Sequence, residues 1–247
     1  MFRKRVRLKA LLAVAAAAVL ALAAHAPVSG LAAHRCDGLD ATIVGTPEDD
    51  VLMGTDGDDV IVGLSGDDTI DGLSGNDTIC AGDGADFVRG GDGADTIKGG
   101  PGLDSLNGGA GPDFIKGGTG NDILLGLSDD DVLYGGPGSD RLDGFFGADR
   151  LFGGADFDLL IGGPGDDEIR GGSGRNDLDG GDGNDLLVGG SDIDDLAGGP
   201  GDDELRGRGG RDDLIGGPGD DLLSGGADSD SVSYRDSPTG VVLSLIH

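Results

Sequence analysis

Aspartate returns every nine residues from Asp50 to Asp230, broken only by Asn176, and these carboxylates are the side chains best placed to do chemistry. Histidine and cysteine are almost absent from the same stretch, so a ligand set built here would consist of oxygen alone. Carboxylates with turn carbonyls suit a hard cation and point to Ca²⁺ rather than zinc or copper. Charge supports this. Between Gly45 and Ser233 there are 44 Asp or Glu against 10 Lys or Arg. Stacked at the strand spacing of about 4.8 Å, such carboxylates would repel strongly unless neutralised. If two nonapeptides make one coil, same-edge neighbours offer at most 19 sites, and 19 divalent ions would balance the acidic excess closely.

The elements that must position these residues follow from the period. Gly45 to Ser233 divides into 21 frames of nine with no insertion or deletion. In a frame such as Gly90-Gly91-Asp92-Gly93-Ala94-Asp95-Thr96-Ile97-Lys98, the first half is a Gly-rich turn. Glycines at positions one, two and four permit positive φ and let several carbonyls converge. Positions seven to nine alternate out, in, out, the period of a strand, with Leu, Ile or Val always at position eight. One aliphatic per nine residues cannot be buried alone, but stacked frames place Ile61, Ile70, Ile79 and Val88 along a shared core. The expected fold is all-β, a parallel β-roll or β-helix solenoid.

These frames resemble the GGxGxDxUx nonapeptides of the RTX (repeats-in-toxin, hemolysin-type) calcium-binding proteins. The resemblance covers about three-quarters of the chain. It implies a β-roll in which turn carbonyls and the position-six Asp hold Ca²⁺ between successive turns. The side-chain ligands it implies are Asp59, Asp68, Asp77, Asp86, Asp95, Asp104, Asp113, Asp122, Asp140, Asp149, Asp167, Asp185, Asp203, Asp212 and Asp221. The carbonyl donors it implies are represented by Gly91, Gly93, Gly100, Gly102, Gly109, Gly111, Gly118 and Gly120. Departures lower the expected occupancy to about 10 to 16 ions. Position four is acidic at Glu48, Asp129, Asp156, Asp192 and Asp228, where the extra carboxylate either tunes or weakens a site. Position two carries Thr46, Thr55, Leu64, Leu73, Leu127, Phe145 or Arg208, and those turns are expected to bind weakly or not at all. The block Gly153–Val188 also repeats in Gly189–Ser224.

The flanks have separate roles. Residues 1–30 join a basic start (Arg3, Lys4, Arg5, Arg7, Lys9) to the apolar run Ala10–Ala24, the pattern of a secretory signal peptide; an uncleaved anchor is the alternative. No other stretch is apolar enough to span a membrane, so the mature chain is expected to be secreted, and held at the cell surface in one variant of that reading. Residues 31–44 form a leader. Its Cys36 is expected to bond Cys80, closing a loop of 45 residues, worth about 4 kcal/mol in the chain-entropy model. Residues 234–247 leave the repeat and contain an alternating apolar strand suited to capping the last coil.

Other chemistry is poorly supported. His25, His34 and His247 lie near the ends, so no nucleophile–His–acid set can be drawn in the array, and no catalytic residue is assigned. Adjacent carboxylates such as Asp166/Asp167 and Asp202/Asp203 invite a glycosidase reading, but the repeat accounts for them. Net charge −30 excludes nucleic acid as a partner. Tyr134, Phe145, Phe146, Phe152 and Phe157 fall within 24 positions, either as a patch for a glycan or protein or as local packing. The expected function is a calcium-folded structural or surface binding module. The alternatives are the folding and secretion part of a larger toxin or hydrolase, and a simple calcium buffer.

Overall fold

A computed structural model describes residues 34–233 and 242–243. The expected signal at 1–30, the first leader residues and most of the 234–247 segment lie outside the described residues. Every frame supplies one strand. In the central coils it runs from position seven through position three of the next frame, as in Thr96–Pro101, Ser105–Ala110 and Phe114–Thr119. Alternate strands go to alternate sheets, one of 11 strands and one of 12. Within each sheet all neighbours are parallel and, except for the last pair of the twelve-stranded sheet, displaced by 18 residues, as in Ile79↔Ile97 and Leu106↔Leu124. Two frames therefore make one coil. The fold is the parallel β-solenoid that the nonapeptide period implies.

The core is the position-eight residue of each frame. Ile61, Ile79, Ile97, Ile115 and Leu133 on one sheet face Ile70, Val88, Leu106, Leu124 and Leu142 on the other, all fully buried. Each such side chain contributes about 1.5–3 kcal/mol by leaving water. Positions seven and nine point outward, which is why they accept residues as different as Arg150, Phe152 and Glu168. Among the described residues no helix is long and apolar enough to cross a membrane.

Both ends of the stack gain extra pieces. An antiparallel pair, Arg35–Cys36 with Leu39–Asp40, precedes the first coil. Cys36 is bonded to Cys80, and Asp37 pairs with Lys98, so the leader is fastened to the twelve-stranded sheet at two points. At the other end Val242–Leu243 pairs in parallel with Leu222–Leu223. Removing the disulfide (Cys36→Ser with Cys80→Ser) is expected to release the leader. A loss of about 4 kcal/mol raises the open population by two to three orders of magnitude, and proteolysis follows that population when reclosing is fast. Limited digestion in calcium, followed by mass mapping of cuts within 34–44, measures it; an unchanged rate would mean the bond holds nothing down.

Candidate metal sites

Each turn is organised around its position-six Asp. Its Oδ1 accepts the backbone N–H of the position-six residue one coil earlier: Asp77 N donates to Asp95 Oδ1 and Asp95 N to Asp113 Oδ1, both at 2.8 Å. The pattern continues along both edges, so the carboxylates form two ladders, Asp50 to Asp230 and Asp59 to Asp221. The second oxygen, Oδ2, turns back into its own turn. A Cβ added at the position-one glycine would strike it, as at Gly90 against Asp95 Oδ2, which explains that glycine by close approach. Carbonyl oxygens at positions two and four point along the stack: those of Gly82 and Gly84 face Gly100 and Gly102 of the next coil.

These Oδ2 atoms carry the chemistry. Seventeen of them are buried and accept no hydrogen bond, among them those of Asp68, Asp104, Asp113 and Asp221. A buried, unpartnered carboxylate oxygen is costly, and the cost falls if a cation sits beside it. No three acidic, His or Cys side chains converge at one point among the described residues. Each turn offers one carboxylate, so backbone carbonyls must complete any coordination shell, the oxygen-rich environment that Ca²⁺ takes. The residues present therefore fit the ion. Without a cation, burial pushes the carboxyl of Asp131 up to about 8 and those of Asp104, Asp113, Asp158, Asp167 and Asp203 up to about 7. Desolvation of the charged form is the main cause, opposed by the N–H bond to Oδ1.

The irregular turns divide differently from the expectation. Leu64, Leu73, Leu127, Phe145 and Arg208 take the same left-handed conformation as the glycines they replace, with φ of 92°, 79°, 89°, 70° and 79°. Their frames keep the unpartnered Oδ2 at Asp68, Asp77, Asp131, Asp149 and Asp212. Acidic position-four residues leave the geometry intact as well. Asp131, Asp158 and Asp194, set aside in the sequence reading, are fully buried and carry the same orphan oxygen. Asp129 and Asp192 instead accept the N–H of Gly111 and Gly174 one coil back, each at 3.0 Å. Asp59 stands apart from the other expected ligands. Thr42 donates to its Oδ1 at 3.0 Å and Thr55 to its Oδ2 at 2.8 Å.

Two further readings change on the structure. Position five is engaged across coils, since Asp or Asn there accepts the position-five N–H of the next coil: Asn184 N donates to Asp166 Oδ1, and Asp220 N to Asp202 Oδ1, both at 2.8 Å. Asp167 Oδ1 is bonded to Asp149 N on the other side, so Asp166 and Asp167 are engaged with different coils and form no paired-carboxylate site. The aromatic residues do not form one patch. Tyr134 and Phe152 stack at 4.5 Å on the twelve-stranded sheet, while Phe145 and Phe146 lie on a strand of the other sheet. Phe157 sits on the turn after Phe152, at the opposite edge from the Phe145 turn. Phe114 lies 5.5 Å from Tyr134, and the Arg150 guanidinium 5.4 Å from the Phe152 ring, so ring faces are used within the sheet.

A search of curated proteins found no match to the chain. The family model of the RTX calcium-binding nonapeptide repeat (4 copies) matches eight segments, 44–79, 81–115, 99–133, 107–142, 125–160, 143–178, 161–196 and 197–232, of which the middle six overlap in series. Those segments span nearly all of the solenoid, and the solenoid has the strand, turn and ladder arrangement that such repeats require. The chain belongs to the RTX calcium-binding nonapeptide repeat family.

Proposed function

We propose that this chain is an exported structural module that folds when extracellular Ca²⁺ fills its turns. The observation that carries the reading is the row of buried Oδ2 atoms with no donor, in seventeen turns and on both edges. Asp68 through Asp221 supply these oxygens, and position-two and position-four carbonyls, those of Gly91, Gly93, Gly100 and Gly102 among them, complete the ion's shell. In low calcium the acidic array lacks the apolar burial to fold by itself, which suits passage through a translocon unfolded. Extracellular calcium modules bind at about 10⁻⁴–10⁻³ M, the range that makes folding follow export. The N-terminal basic and apolar segment supports export, and the spacing of histidines supports a non-catalytic role.

A Ca²⁺ titration of the full chain followed by circular dichroism tests this, with Mg²⁺ as the control. The expected result is a cooperative rise in β signal with Ca²⁺ alone, because each bound ion orders two coils. A β signal present in full after calcium removal, at a pH above the raised carboxyl values, would sink the reading.

A further inference from the structure

We infer that three turns of the array, those of Asp50, Asp59 and Asn176, take no cation because a protein donor already occupies the ion's place. The inference rests on the calcium reading above and adds to it where the ions stop. In the Asp59 turn, Thr55 Oγ1 donates to Asp59 Oδ2 at 2.8 Å and lies 3.2 Å from the position-four carbonyl oxygen of Gly57; Thr55 N also donates to Oδ2 at 2.7 Å. The Asp50 turn repeats this, with Thr46 Oγ1 2.9 Å from Asp50 Oδ2 and 3.5 Å from the Glu48 carbonyl oxygen. In the Asn176 turn the side chain is fully buried, and its Nδ2 donates to the position-four carbonyl of Gly174 at 3.0 Å. Its Oδ1 still accepts Asp158 N at 3.1 Å, so the ladder passes through unbroken.

All three donors thus act on the same pair, the position-four carbonyl and the position-six terminal atom: the two hydroxyls lie between them, and the amide nitrogen takes the place of the second. In the ordinary turns that terminal atom is the orphan Oδ2. A hydroxyl or an amide NH₂ supplies there the positive hydrogen that a cation otherwise supplies as charge. The choice of residue has a conformational cause. Ordinary turns carry positive φ at position two, Gly190 of the Asp194 turn excepted; Leu, Phe and Arg reach it at some cost and β-branched Thr avoids it. Thr46 and Thr55 are absent from the positive-φ residues, and with φ negative their N–H and hydroxyl turn inward to the carboxylate. Consequently the first coil closes without metal. One edge is interrupted between Asp158 and Asp194, while the other runs from Asp77 to Asp221 without a gap.

Native mass spectrometry of the full chain at saturating Ca²⁺ counts ions as integer mass steps and tests this. Asn176→Asp is expected to add one ion to the parent count. Thr55→Gly, which restores the glycine conformation at position two, adds one as well, whereas Thr55→Ser, which keeps the hydroxyl, adds none. Asp104→Asn places the amide in an ordinary turn and removes one. Unchanged counts in both Asn176→Asp and Thr55→Gly, with the parent calcium-loaded, would overturn the inference and leave the calcium reading standing. A parent chain that carries no calcium would overturn both. Because Thr55 and Asn176 lie on different edges and more than six coils apart, a folding failure in one variant leaves the other decisive.

Discussion

Stripped of calcium, the chain is expected to hold its β structure near pH 4 and to lose it as the pH rises through about 6 to 8. Folding raises the carboxyl pKa values of the ladder from the ordinary 3.8, to about 6 at Asp77 and Asp212, about 7 at Asp104 and Asp113, and about 8 at Asp131. The folded coil therefore prefers the protonated carboxyl, and folding takes up protons. That stabilisation is fully present below the unfolded value of 3.8 and disappears as the pH passes the folded values. A proton on Oδ2 also gives the atom a donor hydrogen for a neighbouring carbonyl. Calcium reverses the dependence, since it binds the ionised form and displaces the proton. With Ca²⁺ present the β signal should stay level above pH 6, and ion uptake at pH 6 should release protons into a weakly buffered solution. Circular dichroism of resin-treated protein across pH 4 to 9, with and without calcium, measures both. A calcium-free chain equally folded at pH 4 and pH 9 would contradict the burial of these groups as charged carboxylates.

Gly102→Ala is expected to destabilise the calcium-loaded chain by about 3 kcal/mol, while Gly57→Ala has almost no effect. Both glycines occupy position four, and neither has positive φ, so backbone strain does not separate them. Space does. A Cβ at Gly102 would run into the Gly84 carbonyl of the coil below, a backbone atom that cannot rotate away, whereas nothing lies within 4 Å of a Cβ at Gly57. Relief requires the coils to part, which also moves a carbonyl out of the shell of any ion between them. Urea unfolding at saturating Ca²⁺ gives the stability difference, and the Ca²⁺ midpoint of folding should rise for Gly102→Ala alone. Equal behaviour of the two variants would mean that the position-four backbone of one coil does not bear on that of the next.

The fold was legible because the period forces it: with one aliphatic every nine residues and no insertion, only stacked parallel strands bury Ile97 beside Ile79 and Ile115. The position-six carboxylates were legible for the same reason. Finer distinctions among the turns were not, because residue type alone does not reveal which atoms oppose each other across coils. Leu73 and Thr55 both look like a lost glycine. One is unbranched at Cβ and accepts φ 79°; the other is β-branched and refolds the turn around Asp59. Asp131 and Asp158 were set aside for an acidic neighbour two residues away, yet φ of 76° and 79° at Asp129 and Asp156 leaves both turns in the common shape. The aromatic residues misled because closeness along the chain ignores the alternation of sheets, which sends Phe146 and Phe152 to different sheets.

The displacement of 18 residues between paired strands gives the array a parity. Inserting one nonapeptide would exchange the two sheets and the two edges for everything downstream, turning Phe152 against a new set of neighbours and moving Asn176 into the other ladder. Inserting two would lengthen the stack and leave every column in place. The internal repetition of Gly153–Val188 in Gly189–Ser224 advances by 36 residues, an even number of frames. Its members Ile169 and Leu205 accordingly lie in the same sheet, each paired to Leu187 between them. Arrays of this kind can grow or shrink in whole coils without any surviving side chain changing sides.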